Sequence, residues 1–232
     1  ATASPAAICV GASTTITALT NAVGAGTVTL GTGSSTASSY DNPFYSLWSH
    51  TQDQILVKAS ELTAAGLYAG NITSLGLTVT SGTTIMPDFS ISIKNTANTA
   101  LSTLDSTGFT TVYSNATGVT PVIGLNTITF TTPYNWDGTS NLLIKICWGN
   151  STTTATQSNT VLADATSYVS IVNAHNTTNT SGSTICSNTT VYGTFSNRPK
   201  FVFGGQVSTQ GVGTLAYSWN DANASTGNVL TV

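Results

Sequence analysis

The stretch GLNTITFTTPYNWDGTSNLLIKICW, residues 124–148, holds two strand patterns with a turn between them. Over 126–131, Ile128 and Phe130 alternate with threonines, the period of a half-buried strand. Asp137-Gly138 inside WDGTS supplies turn chemistry, and LLIKICW at 142–148 reads as a second strand. Strand, turn and strand within 25 residues leave no room for a helical layer.

The same grammar extends outward in both directions. Short strand patterns recur at 72–79, 88–94, 110–113, 167–173 and 200–203, separated by turn clusters such as SGTT and NTANT. That spacing predicts an all-β chain built around a jelly-roll-like β-sandwich. Only KASELTAAGLY looks helical, with Ser60 as the expected N-cap and Gly66 as the stop.

Composition agrees with this reading. Ser and Thr make up about a third of the chain, which disfavours helix because short hydroxyl side chains compete for backbone bonds and Thr is stiff at χ1. With 40% hydrophobic residues in short runs, 232 residues are enough to bury a core and do not read as disordered. Charged residues are only 6% and the net charge is -3, so the basic footprint of nucleic-acid binding is absent. No apolar run reaches the roughly 18 to 20 residues of a membrane span and no charged-then-apolar leader opens at Ala1; the expectation is a soluble, already processed chain without membrane insertion.

The two ends differ in style from the middle. Residues 1–20 give an extended segment with Pro5, a turn at 11–13 and a strand at 14–18, and NAVGAGT then breaks the pattern. A second glycine-rich junction spans 204–213, after which Leu215, Tyr217 and Trp219 alternate with polar residues and a last strand is expected at 229–232. The last strands are expected to belong with the first. This divides the chain into 1–24, 25–205 and 206–232, an inserted domain between two parts of another, or a linker between modules.

These residues carry a resemblance. Pro5, Ile8, Cys9, Gly11, Tyr217 and Trp219 lie in segments that resemble the immunoglobulin-like repeats, related to polycystic-kidney-disease-type modules, of giant surface proteins and gliding-motility adhesins of Bacteroidetes. The central part, about 175 residues, resembles a β-sandwich module of proteins exported by the type IX system of the same bacteria. There the matching residues are Pro133, Trp136, Asp137, Gly138, Asn141, Cys147, Cys186, Arg198 and Pro199. Past Val232 an immunoglobulin-like repeat would continue, so the open part is expected to lie in a longer chain or to be supplied by a neighbouring copy through strand addition.

The resemblance implies a disulfide between Cys147 and Cys186, and an oxidising, extracellular or cell-surface location. Closing about 40 residues would stabilise the fold by roughly 4 kcal/mol in the chain-entropy picture. A thiol nucleophile or metal pair is the alternative, but no His or third Cys stands at ligand spacing. Cys9 is left over, as a small buried residue, a free thiol or an intermolecular bond.

Candidate sites are sparse. Asp41, Ser49, His50 and Asp53 could be assembled into a nucleophilic set, but serines are plentiful and no Gly-x-Ser-x-Gly elbow occurs; the eight carboxylates show no paired arrangement. No catalytic residues are expected. SSYDNPFYSLWSH brings Tyr40, Phe44, Tyr45 and Trp48 into one loop-like stretch, where rings could stack on sugars or anchor a long loop in the core. Trp136 and Trp148 are expected to pack inside. Asp137-Gly138 is a turn, and Asp41, Asp88 and Asp164 could join a structural calcium shell, although no Asp-x-Asp-x-Asp spacing is present, and no other cofactor is expected. Asn-x-Ser/Thr sequons begin at Asn71, Asn115, Asn150, Asn176, Asn179, Asn188 and Asn223, about as many as such a composition yields by chance. The DST at 105–107 resembles the O-glycosylation motif of that phylum and marks Ser106.

The expectation is therefore a non-enzymatic, extracellular, adhesive or structural module of a bacterial surface protein. Its expected partners are neighbouring modules of the same chain, other copies of itself, or polysaccharide. A carbohydrate-binding accessory module and a self-assembling filament subunit are the alternatives.

Overall fold

The computed structural model describes residues 2–4, 15–17, 23–149, 158–176, 182–208 and 229–231. The strands begin with β1 (Thr2–Ser4), β2 (Thr15–Thr17), β3 (Val23–Leu30), β4 (Ser35–Ala37) and β5 (His50–Val57), followed by helix α1 (Ala59–Ala64). Next come β6 (Leu67–Tyr68), β7 (Gly70–Ser81), β8 (Phe89–Thr96), β9 (Thr110–Asn115), β10 (Gly124–Trp136) and β11 (Asn141–Trp148). β12 (Thr160–Ala165), β13 (Ile171–Asn176), a short helix α2 (Gly182–Ile185), β14 (Gly193–Phe195), β15 (Asn197–Pro199), β16 (Phe201–Ser208) and β17 (Val229–Thr231) complete the order.

Contacts divide the chain into two compact units, Ala25–Val207 and the pair Ala1–Gly24 with Ser208–Val232. In the unit built from the two ends, β1, β2 and β17 form a three-stranded antiparallel sheet with Leu230 opposite Ile16. Pro5, Ile8, Cys9, Gly11, Tyr217 and Trp219, which carry the resemblance of the ends, lie outside the described residues.

The larger unit is an all-β sandwich of two antiparallel sheets. One has the order β14-β13-β5-β11-β8-β9; the other runs β15-β12-β7-β16-β3, with β10 on β7, β4 on β12 and β6 on β16. From β5 onward the chain passes repeatedly from one sheet to the other, the winding of a jelly roll. The two strands of residues 124–148 therefore do not pair with each other: β10 joins β7 while β11 lies between β5 and β8. The turn between them crosses the sandwich. Gly138 has φ +80, and Asp137 Oδ1 accepts from the N–H groups of Thr139 (2.8 Å) and Ser140 (2.7 Å) to fix that corner.

Alternation decides what is buried. Ile55, Val57, Ile91, Ile93, Ile144 and Ile146 from one sheet meet Leu75, Leu77, Val79, Ile128, Phe201 and Phe203 from the other in the main core. Trp136 and Trp148 are buried there as expected. The opposite face of the β5 sheet is covered as well. Leu56, Leu143, Cys147, Val172 and Ala174 pack under Leu101, Leu104 and Ile185.

Double coverage explains a strand that periodicity overlooks. β5 reads HTQDQILV, polar over its first five residues, yet all eight residues are buried. Gln54 exchanges hydrogen bonds with the Asp105 backbone (Nε2 to O 2.6 Å, N–H to Oε1 2.9 Å), and Gln52 Nε2 donates to Asn188 O at 2.9 Å. Both glutamines satisfy their burial by tying covering segments to the sheet.

The cap of α1 lies two residues before the expected one. Lys58, not Ser60, is the N-cap, because Glu61 Oε2 reaches back to accept the Lys58 N–H at 2.8 Å. Gly66, with φ +94, ends the turn as expected.

Candidate functional site

The segment leading into β5 is pinned from below by Asn42. Its Nδ2 donates to Asn159 O (2.7 Å) and its Oδ1 accepts the Phe44 N–H (2.9 Å), while Trp148 Nε1 donates to Pro43 O (3.1 Å). Phe44 is the anchor of this segment: it is 0% exposed and meets Phe89 edge-on at 5.9 Å. The expectation that Phe44 contacts a glycan is corrected, since a ring with no exposed surface has nothing to offer a ligand. The other three rings remain half-buried.

Those rings meet residues from distant strands. Tyr40 stacks on His175 with centroids 4.5 Å apart and planes 7° from parallel, and Trp48 stacks on the same imidazole at 4.8 Å. Tyr45 approaches Tyr40 edge-on at 5.5 Å, and Tyr192 lies 5.2 Å from Tyr40 and 3.6 Å from His175. Tyr192 is 60% exposed. The result is a cluster of five rings from three separate segments. Neither His175 nor Tyr192 stood out in the sequence; the signal would have been their placement on β13 and just before β14, two strands that pair.

Beneath the cluster lies a polar relay. His175 and Asn173 sit on β13 opposite Thr51 and Asp53 of β5. Asn173 Nδ2 donates to Asp53 Oδ1 at 2.8 Å and lies 3.4 Å from Gln52 O, a group that only accepts. Asn173 Oδ1 is therefore left to accept from His175 Nδ1–H at 2.8 Å, which sets the imidazole tautomer. Burial holds the His175 pKa down at about 4, with His50 adding to the effect. Burial pushes the Asp53 carboxyl well above its ordinary value, against the hydrogen bond from Asn173, with Asp41 adding to the rise.

The remaining candidates are dispersed. Strand alternation sends His50 and Asp53 to opposite faces of β5, so these two side chains do not act together. Asp164 Oδ1 accepts from Thr32 Oγ1 (2.7 Å) and from the Gly33 N–H (2.9 Å), and Asp41 Oδ2 accepts from Asn197 Nδ2 at 2.6 Å. Asp137 serves its own turn and Asp88 has φ +49 at the start of β8. Among the described residues no three His, Cys, Asp or Glu side chains gather as a metal shell would require. Cys147 and Cys186 form the disulfide, with Cα atoms 5.7 Å apart. Ser106 lies exposed in the segment covering the β5 sheet.

No protein family matches the chain, and no curated protein does. A solved structure, the cysteine protease and lectin-like domains of Cwp84, a surface layer associated protein of Clostridium difficile, is similar at a TM-score of 0.38 and 8% identity. The similarity covers 68% of this chain, which spans only 32% of that one.

Proposed function

We propose that the chain is a non-enzymatic, extracellular binding module of a bacterial surface adhesin or fibre, and that it holds polysaccharide on Tyr40, Tyr45, Trp48, His175 and Tyr192. The clustering of these five rings carries the reading. Exposed or half-buried aromatic faces stack on the apolar faces of sugar rings, and phenol, imidazole and amide groups beside them meet sugar hydroxyls. Phe44 and Asn42 hold the segment from the core, so the platform is preformed and little ordering is lost on binding. The Cys147–Cys186 bond fits an oxidising compartment. Neighbouring modules of the same chain are the proposed protein partners, with the two ends contributing an immunoglobulin-like unit.

A polysaccharide array read with the intact protein tests this. Wild type is expected to bind at least one polysaccharide saturably. Trp48→Ala and Tyr192→Ala are expected to weaken it about tenfold or more with circular dichroism unchanged. Absence of binding across the array, or equal binding by both variants, refutes the reading.

A further inference from the structure

On the outer face of the β14-β13-β5-β11-β8-β9 sheet, away from the main core, a cavity of about 260 Å³ opens between β8, β9, β11 and the segment around Cys186. Its wall is rich in hydroxyls, among them Ser90, Ser92, Ser106 and Thr111, and it also contains Lys145 and Asp88. Strand alternation places this set: Phe89, Ile91 and Ile93 face the core, so the residues between them face outward.

Lys145 is the unusual member. It is 8% exposed, its ammonium donates to Cys186 O at 3.1 Å, and it lies 4.3 Å from the centre of the Phe109 ring. Among the described residues it has no carboxylate at ion-pair distance, whereas Lys94 is paired with Asp105 at 2.7 Å and Arg198 with Glu61 at 2.9 Å. An ammonium has three donors, and one protein carbonyl uses one of them. Burial, with Lys94 nearby, lowers the Lys145 pKa, as expected for a cation lacking an opposite charge. A buried charge without a partner is costly, and an anion entering the cavity would remove that cost.

We propose that this cavity binds the carboxylate of an acidic sugar, with Lys145 as its charged contact and the surrounding serine and threonine hydroxyls meeting the sugar hydroxyls. The size suits a single sugar residue, below the roughly 300–1,000 Å³ of clefts for larger ligands. One ammonium with Asp88 also on the wall favours a single negative charge over a doubly charged group. Six side-chain hydroxyls, those named and Ser114 and Ser187, favour a polyhydroxylated ligand over a simple carboxylate. The site is separate from the ring cluster and does not rest on it.

The experiment is a titration of the full chain at neutral pH and low salt, using D-galacturonic acid, D-galactose, acetate and sulfate as probes. Binding is followed by calorimetry and by the Lys145 side-chain NMR signals. Galacturonic acid is expected to saturate and to shift Lys145, with galactose and acetate each about tenfold weaker or worse. Lys145→Met is expected to lose about tenfold or more in affinity. Should Lys145→Met fail to fold, the Lys145 shift in the unaltered protein decides. Unsaturable binding, equal affinity for galactose, an unmoved Lys145 signal, or sulfate binding as tightly as galacturonic acid overturns the proposal.

Discussion

Arg198 clamps Glu61 with both arms of its guanidinium: Nη1 donates to Oε2 at 2.9 Å and Nη2 to Oε1 at 3.1 Å. Nη1 also reaches Tyr168 Oη (2.9 Å) and Leu56 O (3.3 Å), and the Tyr168 hydroxyl donates to Glu61 Oε2 at 2.5 Å. This ties α1 to β15, elements separated by 137 residues at the clamped pair. Replacing Arg198 with Met leaves the Glu61 carboxylate with the Lys58 N–H and the Tyr168 hydroxyl but without its cation, and takes a donor from the Leu56 carbonyl. A loss of about 3 kcal/mol is expected in urea unfolding, near the lower end for breaking a buried pair; a loss under 1 kcal/mol would show that the clamp contributes little.

Acid should erode stability over a defined window. Asp164 is partly buried, which alone would raise its pKa, but the N–H groups of Gly33, Ser34 and Thr32 and the Thr32 hydroxyl hold it at about 2. The Ser140 hydroxyl and the N–H groups of Ser140 and Thr139 hold Asp137 at about 2 as well. An unfolded Asp titrates near 3.9, so the unfolded chain takes up protons first and stability falls as pH drops from about 4 to about 2. Melting temperatures measured from pH 5 to pH 2 should decline through that range. Asp164→Asn should melt lower at pH 7 and decline less steeply; an identical slope would remove Asp164 from the account.

The sandwich was legible because most of its strands alternate or are plainly apolar. Residues 142–148 and 72–79 lie inside β11 and β7, and Trp136 and Trp148 are in the core. β5 was hidden because Gln52, Asp53 and Gln54 look solvent-facing until the segments that cover the sheet supply their partners. β12 was hidden in short polar neighbours, and the pattern at 167–173 began too early because Ser170 makes irregular bonds with Phe195 O and Thr166 before β13 starts. The aromatic loop could be read, but not which rings it turns outward. Phe44 and Tyr45 are adjacent in sequence and opposite in fate, and His175 and Tyr192 join only through strand pairing.

Reducing the Cys147–Cys186 bond should cost about 4 kcal/mol, from the loop of about 40 residues that it closes in the unfolded chain. The partners sit differently: Cys147 is buried in the β5 sheet, while Cys186 belongs to the segment that supplies the carbonyl for Lys145. Urea unfolding of Cys147→Ala/Cys186→Ala against the parent gives the number. Equal midpoints would mean that the covering segment is held by packing alone.

His175 supplies the last prediction, and its sign is opposite to the usual paired histidine. Burial and His50 lower its pKa from 6.5 to about 4, so the folded ring stays neutral where the unfolded one is charged. Between pH 6.5 and 4 the unfolded chain binds a proton that the folded chain refuses, and stability falls as pH falls. Below about 4 the ring charges in both states, and its hold on Tyr40 and Trp48 becomes that of a cation against two aromatic faces. His50, also lowered by burial, adds to the same slope, so the two must be separated. The imidazole carbon signals of His175 should titrate with a midpoint near 4, and His175→Gln should flatten the stability slope between pH 6.5 and 4 without abolishing it. A His175 midpoint at 6 or above would mean that the ring is not enclosed as the cluster geometry requires.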